Sequence, residues 1–194
     1  LVILDVTNEP NFLKDEMLRT LSCDLVSEIR HIQIENVYKN RVNTFIDFLR
    51  LSSADFVVVV DSQTVPLGTR WIWEAIGLLE LHFDAVAVSG MTASENNVVI
   101  NDQLVSRGGK TVEAGYIGLR TDNPGPFAMQ FKSHSTMTLS LSLSILNREM
   151  FLYLYDSISE ELFLEDLPTV IPAVANANKK RIIYTPLLQA KFLG

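Results

Sequence analysis

The sequence has little cysteine, a deficit of positive charge and no long apolar run. Its single cysteine, Cys23, excludes an intramolecular disulfide and gives no sign of an oxidising compartment. Lysine and arginine total 16 against 23 acidic residues, a net charge of −7, which argues against nucleic-acid binding because phosphate contacts need a basic face. No run reaches the roughly 20 apolar residues of a membrane span, and the first residues lack the pattern of a signal peptide. We therefore expect a cytoplasmic protein without a membrane span.

What is present is typical of a globular domain. Hydrophobic residues make up 47% of the chain and charged residues 20%, and 194 residues suffice to bury a sizeable core. The sequence opens directly in an apolar stretch, residues 1–4. We expect a single domain, 1–194, excised from a longer chain.

The most informative stretch is residues 55–66. Phe56 is followed by four valines without polar alternation, which is typical of a strand buried on both faces of a parallel sheet. The run ends on Asp61, and ligands of open α/β sheets bind beyond the carboxyl ends of strands, so Asp61 is a candidate site residue. The alternative is a turn in which Asp61 only caps the segment that follows.

Strand and helix patterns alternate along the chain. Helical spacing predicts helices over residues 45–51, 67–82, 147–155 and 167–177. Strands are predicted over residues 1–5, 56–60, 85–88, 136–146 and 182–184. This order predicts an α/β fold with a mainly parallel central sheet flanked by helices.

Acidic residues stand at three informative places in this order. Asp5 and Asp61 each end a predicted strand, and the pair Glu165 and Asp166 opens a predicted helix. Carboxylates that converge near one sheet edge would suit a cation-bridged diphosphate and a general base. For Glu165 and Asp166 the alternative is a helix N-terminus stabilised by acids.

In sequence order these signals resemble the inverting family-2 glycosyltransferases with the GT-A fold. The first stretch is similar to the second strand of that fold, which implies that the first strand is absent from this chain. The resemblance covers nearly the whole chain through the stretches 1–5, 35–43, 56–63, 108–109, 112–118, 146–151, 163–167 and 180–186.

The resemblance implies an enzyme that moves a sugar from a UDP-, GDP- or dTDP-linked donor to a hydroxyl acceptor with inversion. The acceptor class is a glycan, a glycolipid or a glycoprotein. By the same resemblance Asp5 contacts the nucleotide base, Asp61 contacts the ribose or a cation, and Asp166, with Glu165 beside it, deprotonates the acceptor. Arg41 is assigned to donor binding, and a Mn²⁺ or Mg²⁺ ion to Asp61 and position 63.

Two departures from the family pattern bear on this chemistry. Gln63 stands where a second acid is usual, and its neutral amide oxygen can ligate a cation but brings one charge less. A histidine usual after the closing strand is missing, and Lys191 there is assigned to the leaving diphosphate as a fixed cation; the alternative is an ordinary surface lysine.

These departures leave room for two other functions. One is a non-catalytic glycosyltransferase-like module that binds a glycan or a partner domain. The other is a nucleotidyltransferase, which is disfavoured because no glycine-rich, basic phosphate loop occurs near the N-terminus.

Overall fold

The computed structural model describes residues 41–61, 63–68, 70–100, 104–107, 110–113, 117–124 and 126–193. The helices are α1 (Arg41–Leu51), α2 (Trp71–Leu81), α3 (Arg148–Asp156) and α4 (Leu167–Ala177), with short 3-10 helices at Pro126–Phe131 and Leu164–Asp166. The strands are β1 (Phe56–Val60), β2 (Thr64–Pro66), β3 (Ala85–Ala93), β4 (Leu104–Arg107), β5 (Lys110–Glu113), β6 (His134–Thr136), β7 (Leu143–Asn147) and β8 (Arg181–Phe192). The predicted strand that ends on Asp5 lies outside the described residues.

The main sheet has the strand order β1-β7-β3-β8-β2, with β6 also paired to β8. Only β3 and β8 pair in parallel among the described strands, whereas β1–β7, β3–β7, β2–β8 and β6–β8 are antiparallel. The prediction of a mainly parallel sheet is therefore wrong, and the sheet is mixed. β1, β3 and β8 do run in the same direction, but β7 lies between β1 and β3 and runs the opposite way.

Helices cover both faces of this sheet. α2 packs on one face through Trp71, Ala75 and Leu79, and α1, α3 and α4 pack on the other. β3 is buried along its whole length, whereas only Val57 of β1 is fully buried. The prediction that β1 is covered on both faces is confirmed in part, because Val57 and Val59 pack on one face and Phe56, Val58 and Val60 on the other, all but Val57 incompletely buried.

Local sequence signals explain the helix bounds. The side chain of Asn147 accepts a hydrogen bond from the amide of Met150 at 3.1 Å and so caps α3. Pro168 lies in the first turn of α4, where its missing N–H costs nothing. The predicted helix over 167–177 is confirmed at both ends. None of the helices in the described ranges is long and apolar enough to cross a membrane.

The two ends of the sheet carry different residues and helix termini. We call the end where β1, β3 and β8 begin the lower end, and the end where they finish the upper end. α2 and α4 each lead back to the lower end, since they are followed closely by β3 and β8. Their first turns therefore lie at the upper end, together with Asp61.

The ladder between β3 and β8 is interrupted by a bulge at Gly90. Ser89 pairs with Tyr184, and Met91 pairs with Gln189. Four residues of β8, 185–188, therefore lie opposite the single residue Gly90 of β3. A Cβ on residue 90 would lie 2.4 Å from the carbonyl oxygen of Leu188, so only glycine fits. Such a bulge bends the strand that carries it. The upper parts of β3 and β8 consequently turn away from the plane of the lower sheet.

The short connection from β1 to β2 requires this bend. The two strands stand at opposite ends of the strand order, which in a flat sheet would be about 19 Å apart. The chain between Val60 and Thr64 spans at most about 14 Å. The upper part of β8, to which β2 is paired, must therefore approach the end of β1.

Candidate functional site

Asp61 follows β1 at the upper end and is exposed. Its amide donates to the carbonyl of Ser142 at 3.1 Å, and its Oδ1 accepts from the amide of Gln63 at 2.8 Å. The carboxylate therefore caps the turn, as the alternative interpretation held. Its second oxygen has no hydrogen-bond partner among the described residues, so the same side chain can still bind a ligand.

Gln63 and Lys191 are brought together by the pairing of β2 with β8. The carbonyl of Gln63 accepts from the amide of Leu193 at 2.8 Å, while its side chain is exposed. Lys191 stands opposite Val65 on β2 and Ala93 on β3. Its half-buried side chain makes no hydrogen bond or ion pair within the part of the chain that the structure describes. The two positions that depart from the family pattern are thus neighbours in space.

Residues 139–142 connect Asp61 to the start of α4. The amide of Leu139 donates to the carbonyl of Pro168 at 2.9 Å, and the amide of Ser140 donates to Oγ of Ser89 at 3.0 Å. The prediction of one continuous strand over 136–146 is wrong here. Oγ of Ser140 accepts a hydrogen bond from the amide of Leu143 at 3.3 Å. This local hydrogen bond competes with strand pairing, so the backbone turns here and does not continue a strand.

Asp166 and Glu165 lie at the upper end, in front of α4. Oδ2 of Asp166 accepts from the amide of Phe163 at 2.8 Å, and no second partner of this carboxylate occurs in the described ranges. Glu165 is exposed. Asp166 therefore has a structural contact through one oxygen, and its other oxygen has no hydrogen-bond partner in the described ranges. Through residues 139–142 it shares the upper end with Asp61.

Arg41 and Asp5 complete the predicted set. Arg41 is the exposed first residue of α1, and because α1 is followed closely by the start of β1, this residue lies toward the upper end. Asp5 lies outside the described residues, so its assignment to the nucleotide base stays a prediction.

The donor set for a divalent cation is small. In the described ranges no group of three His, Cys, Asp or Glu side chains comes together. Asp61 and Gln63 offer one carboxylate and one neutral amide, whereas hard cations are usually held by more oxygen ligands and more charge. These residues alone do not fit a preformed metal centre.

Sequence reasoning missed the residues that shape this end of the sheet. Gly90 and the serines Ser89 and Ser140 were not singled out. The pair Ser89-Gly90 after a buried strand was the available signal, since glycine within a strand marks a bulge or a close backbone approach. The hydrogen bond between Ser89 and Ser140 joins residues far apart in sequence and leaves no local pattern.

One half-buried histidine flanks the upper end. His134 on β6 pairs with Tyr184 of β8, with ring centroids 5.0 Å apart. Burial lowers the pKa of the His134 imidazole below its ordinary value, and its hydrogen bond to the carbonyl of Lys132 opposes this only in part. Burial therefore favours the neutral form of this ring.

Comparison with known proteins supports the fold. No protein-family model and no curated protein matches this sequence. The chain superposes on the crystal structure of GalNAc-T7 with UDP, GalNAc and Mn2+ with a TM-score of 0.58 at 8% identity, covering 98% of this chain and 36% of that one. It also matches the crystal structure of A197 from STIV with a TM-score of 0.46 at 15% identity, over 84% of this chain and 71% of that one.

The mixed sheet and the likeness to GalNAc-T7 define a mixed α/β, GT-A-like fold. The likeness to GalNAc-T7 at 8% identity shows the fold alone. The chain spans little more than a third of the length of that structure, so activity, substrates and partners are matters for proposal.

Proposed function

We propose that this chain is a nucleotide-sugar-dependent glycosyltransferase that moves a sugar to a hydroxyl acceptor with inversion. The observation that carries the proposal is the placement of Asp61 and Asp166 at one end of a GT-A-like sheet. Each keeps a carboxylate oxygen without a partner among the described residues. The structural neighbour GalNAc-T7, crystallised with UDP, GalNAc and Mn2+, favours the same class of donor.

In the proposed reaction the acceptor oxygen attacks the anomeric carbon as its proton passes to Asp166. The bond from that carbon to the diphosphate oxygen breaks, and its electron pair leaves with the nucleoside diphosphate. Asp61 accepts a hydrogen bond from the ribose, with Gln63, Arg41 and Asp5 completing the donor site. Glu165 adds negative charge beside the base.

A divalent cation at Asp61 and Gln63 remains a prediction that this donor set supports weakly. When bound, Mn²⁺ or Mg²⁺ would neutralise the charge that develops on the leaving diphosphate. No step of the proposal is made to depend on it.

Calorimetric titration of UDP and GDP into the chain tests the proposal. We expect binding that Asp61→Ala weakens at least about tenfold, because a hydrogen bond to a charged group contributes roughly 1.5–3 kcal/mol. Asp47→Ala is the matched control, since it removes the same charge from an exposed position on α1. Equal binding by both variants would place the nucleotide elsewhere.

A non-catalytic glycosyltransferase-like module is the second candidate. It is favoured by Gln63 in place of an acid and by the use of one oxygen each of Asp61 and Asp166 in backbone contacts. This candidate predicts that a folded chain binds neither nucleotide and retains binding to a glycan.

A further inference from the structure

Two ladders fix the register of Lys191 beside the candidate donor site. Its Cα partners are Val65 on β2 and Ala93 on β3. Shortly beyond it, the amide of Leu193 donates to the carbonyl of Gln63 at 2.8 Å. The backbone that carries Lys191 is therefore hydrogen-bonded to the turn that follows β1.

Strand alternation sets the direction of this lysine. Ala190 is buried against α2, so Lys191 points to the opposite face of the sheet. Its cross-strand partners on that face, Val65 and Ala93, carry no charge. Within the described residues no carboxylate lies within ion-pair distance of its ammonium. Half-burial of an unpaired ammonium costs free energy, which an anionic ligand would offset.

The same turn is poor in ligands for a cation. Asp61 provides one carboxylate, and Gln63 provides a neutral amide where a second carboxylate would favour a divalent ion. No third ligand from the described residues joins them. A positive charge at this place comes from the lysine and not from a preformed metal site.

We propose that Lys191 takes the place of the divalent cation and neutralises the diphosphate of the donor, so that donor binding and sugar transfer need no metal. This inference rests on the proposed glycosyltransferase function. As the bond between the anomeric carbon and the diphosphate oxygen breaks, the electron pair stays on the leaving oxygen, and the ammonium of Lys191 offsets that charge. A cation fixed on a strand acts without reorganisation at the moment of reaction.

The test is calorimetric titration of UDP, GDP and inorganic pyrophosphate, with EDTA and then with Mn²⁺. Lys191→Met keeps the length of the side chain and removes the charge, and Lys191→Arg keeps the charge. Lys180→Met is the matched control, because Lys180 is a lysine half-buried like Lys191 and lies just before the other end of β8. Thermal unfolding of each variant checks that it is folded.

We expect wild-type binding in EDTA that Mn²⁺ leaves unchanged. Lys191→Met should weaken it at least about tenfold, as expected for loss of a charge-assisted contact, whereas Lys180→Met should bind within about threefold of wild type. Lys191→Arg keeps the charge in a different geometry and should retain more affinity than Lys191→Met.

Nucleotide binding that requires Mn²⁺ would overturn the inference and leave the proposed function standing, and so would metal-free binding that folded Lys191→Met retains. Absence of binding to either nucleotide, with or without Mn²⁺, would instead overturn the proposed function and this inference with it.

Discussion

At the lower end of the sheet Arg181 holds Asp84 through two contacts of 3.0 Å, from Nε to Oδ2 and from a terminal nitrogen to Oδ1. At the upper end Asp61 and Lys191 have no ion-pair partner among the described residues. We expect the paired charges to contribute to stability and the unpaired charges to be available to a ligand. The paired charges therefore mark the lower end as structural, and the unpaired charges mark the upper end as the candidate site. We expect substitutions at the lower end to change stability and substitutions at the upper end to change binding or activity.

The largest effect is expected at the upper end, for Asp166→Asn. Asparagine keeps an oxygen that can accept from the amide of Phe163, so the turn before α4 survives, but it cannot take a proton. Loss of a general base lowers kcat by about 100-fold or more. The measurement is hydrolysis of UDP-linked sugars, with water as the acceptor, alongside thermal unfolding.

Glu165→Gln is the control for that variant. It removes the neighbouring charge from an exposed side chain and should lower kcat by less than about tenfold, since it adds only to the local field. The reverse pattern would transfer the role of base to Glu165. Equal activity of both variants with wild type would contradict a carboxylate base in this pair.

Gly90→Ala should have the next largest effect and should lower both the stability of the fold and the affinity for nucleotide. The added methyl would lie 2.4 Å from the carbonyl oxygen of Leu188 and 2.7 Å from its Cγ. Overpacking of this kind costs about 1–3 kcal/mol. We expect a lower urea midpoint and weaker nucleotide binding, because the bend at Gly90 brings the upper part of β8 toward β1.

Gly77→Ala is the matched glycine control for this variant. Gly77 lies within α2, and a Cβ there meets nothing within 4 Å. Alanine is favoured over glycine inside a helix by about 0.5–1 kcal/mol, so this variant should be slightly more stable than wild type. Equal stability of the two variants would argue against a close approach at Gly90.

A smaller effect is expected from Arg181→Met at the lower end. Arg181 and Asp84 are about one-third exposed, so water screens their pair, and its loss should cost about 1 kcal/mol. Arg120→Met removes a more exposed partner of Asp122 and should cost below about 0.5 kcal/mol. UDP titration should give the same affinity for both variants and wild type. A loss of affinity with Arg181→Met alone would contradict the division between the two ends.

The sequence predicted individual elements better than their arrangement. α4 was predicted at both ends, and β1 was predicted over its full length, because their signals are local: apolar spacing, a proline in the first turn, a run of valines. The position of β7 between β1 and β3 was not predicted, since the pattern of a strand does not encode its partner. The last strand was predicted only over 182–184, whereas β8 extends past Pro186, because a proline within a bulge needs no ladder hydrogen bond.

For the candidate site, the sequence predicted which residues take part but not which residues they contact in space. Asp61 and Asp166 were chosen from strand-end and helix-start positions, and both lie at the upper end. Their backbone contacts could not be foreseen, because the hydrogen bonds from Gln63 and Phe163 depend on turn geometry. The pairing of Lys191 with Val65 required the bend at Gly90, a tertiary feature without a sequence period.

The smallest effect we predict is a loss of stability on acidification through His134, which flanks the upper end. The neutral ring donates from Nδ1 to the carbonyl of Lys132 at 2.9 Å, and its buried Nε2 has no partner among the described residues. Burial lowers the pKa of His134 in the folded protein below 6.5, so the unfolded chain binds the proton more readily. Stability should therefore be retained above pH 6.5 and fall as the pH drops from 6.5 toward the lowered pKa.

Urea unfolding between pH 8 and pH 5, compared for wild type and His134→Gln, isolates this contribution, because titrating carboxylates are common to both proteins. Glutamine keeps a donor for the carbonyl of Lys132 but does not titrate. The difference in unfolding free energy between the two proteins should shift in favour of the variant as the pH falls below 6.5. A difference that stays constant across this range would mean that the pKa of His134 is the same in the folded and unfolded chain, and it would contradict a lowering by burial.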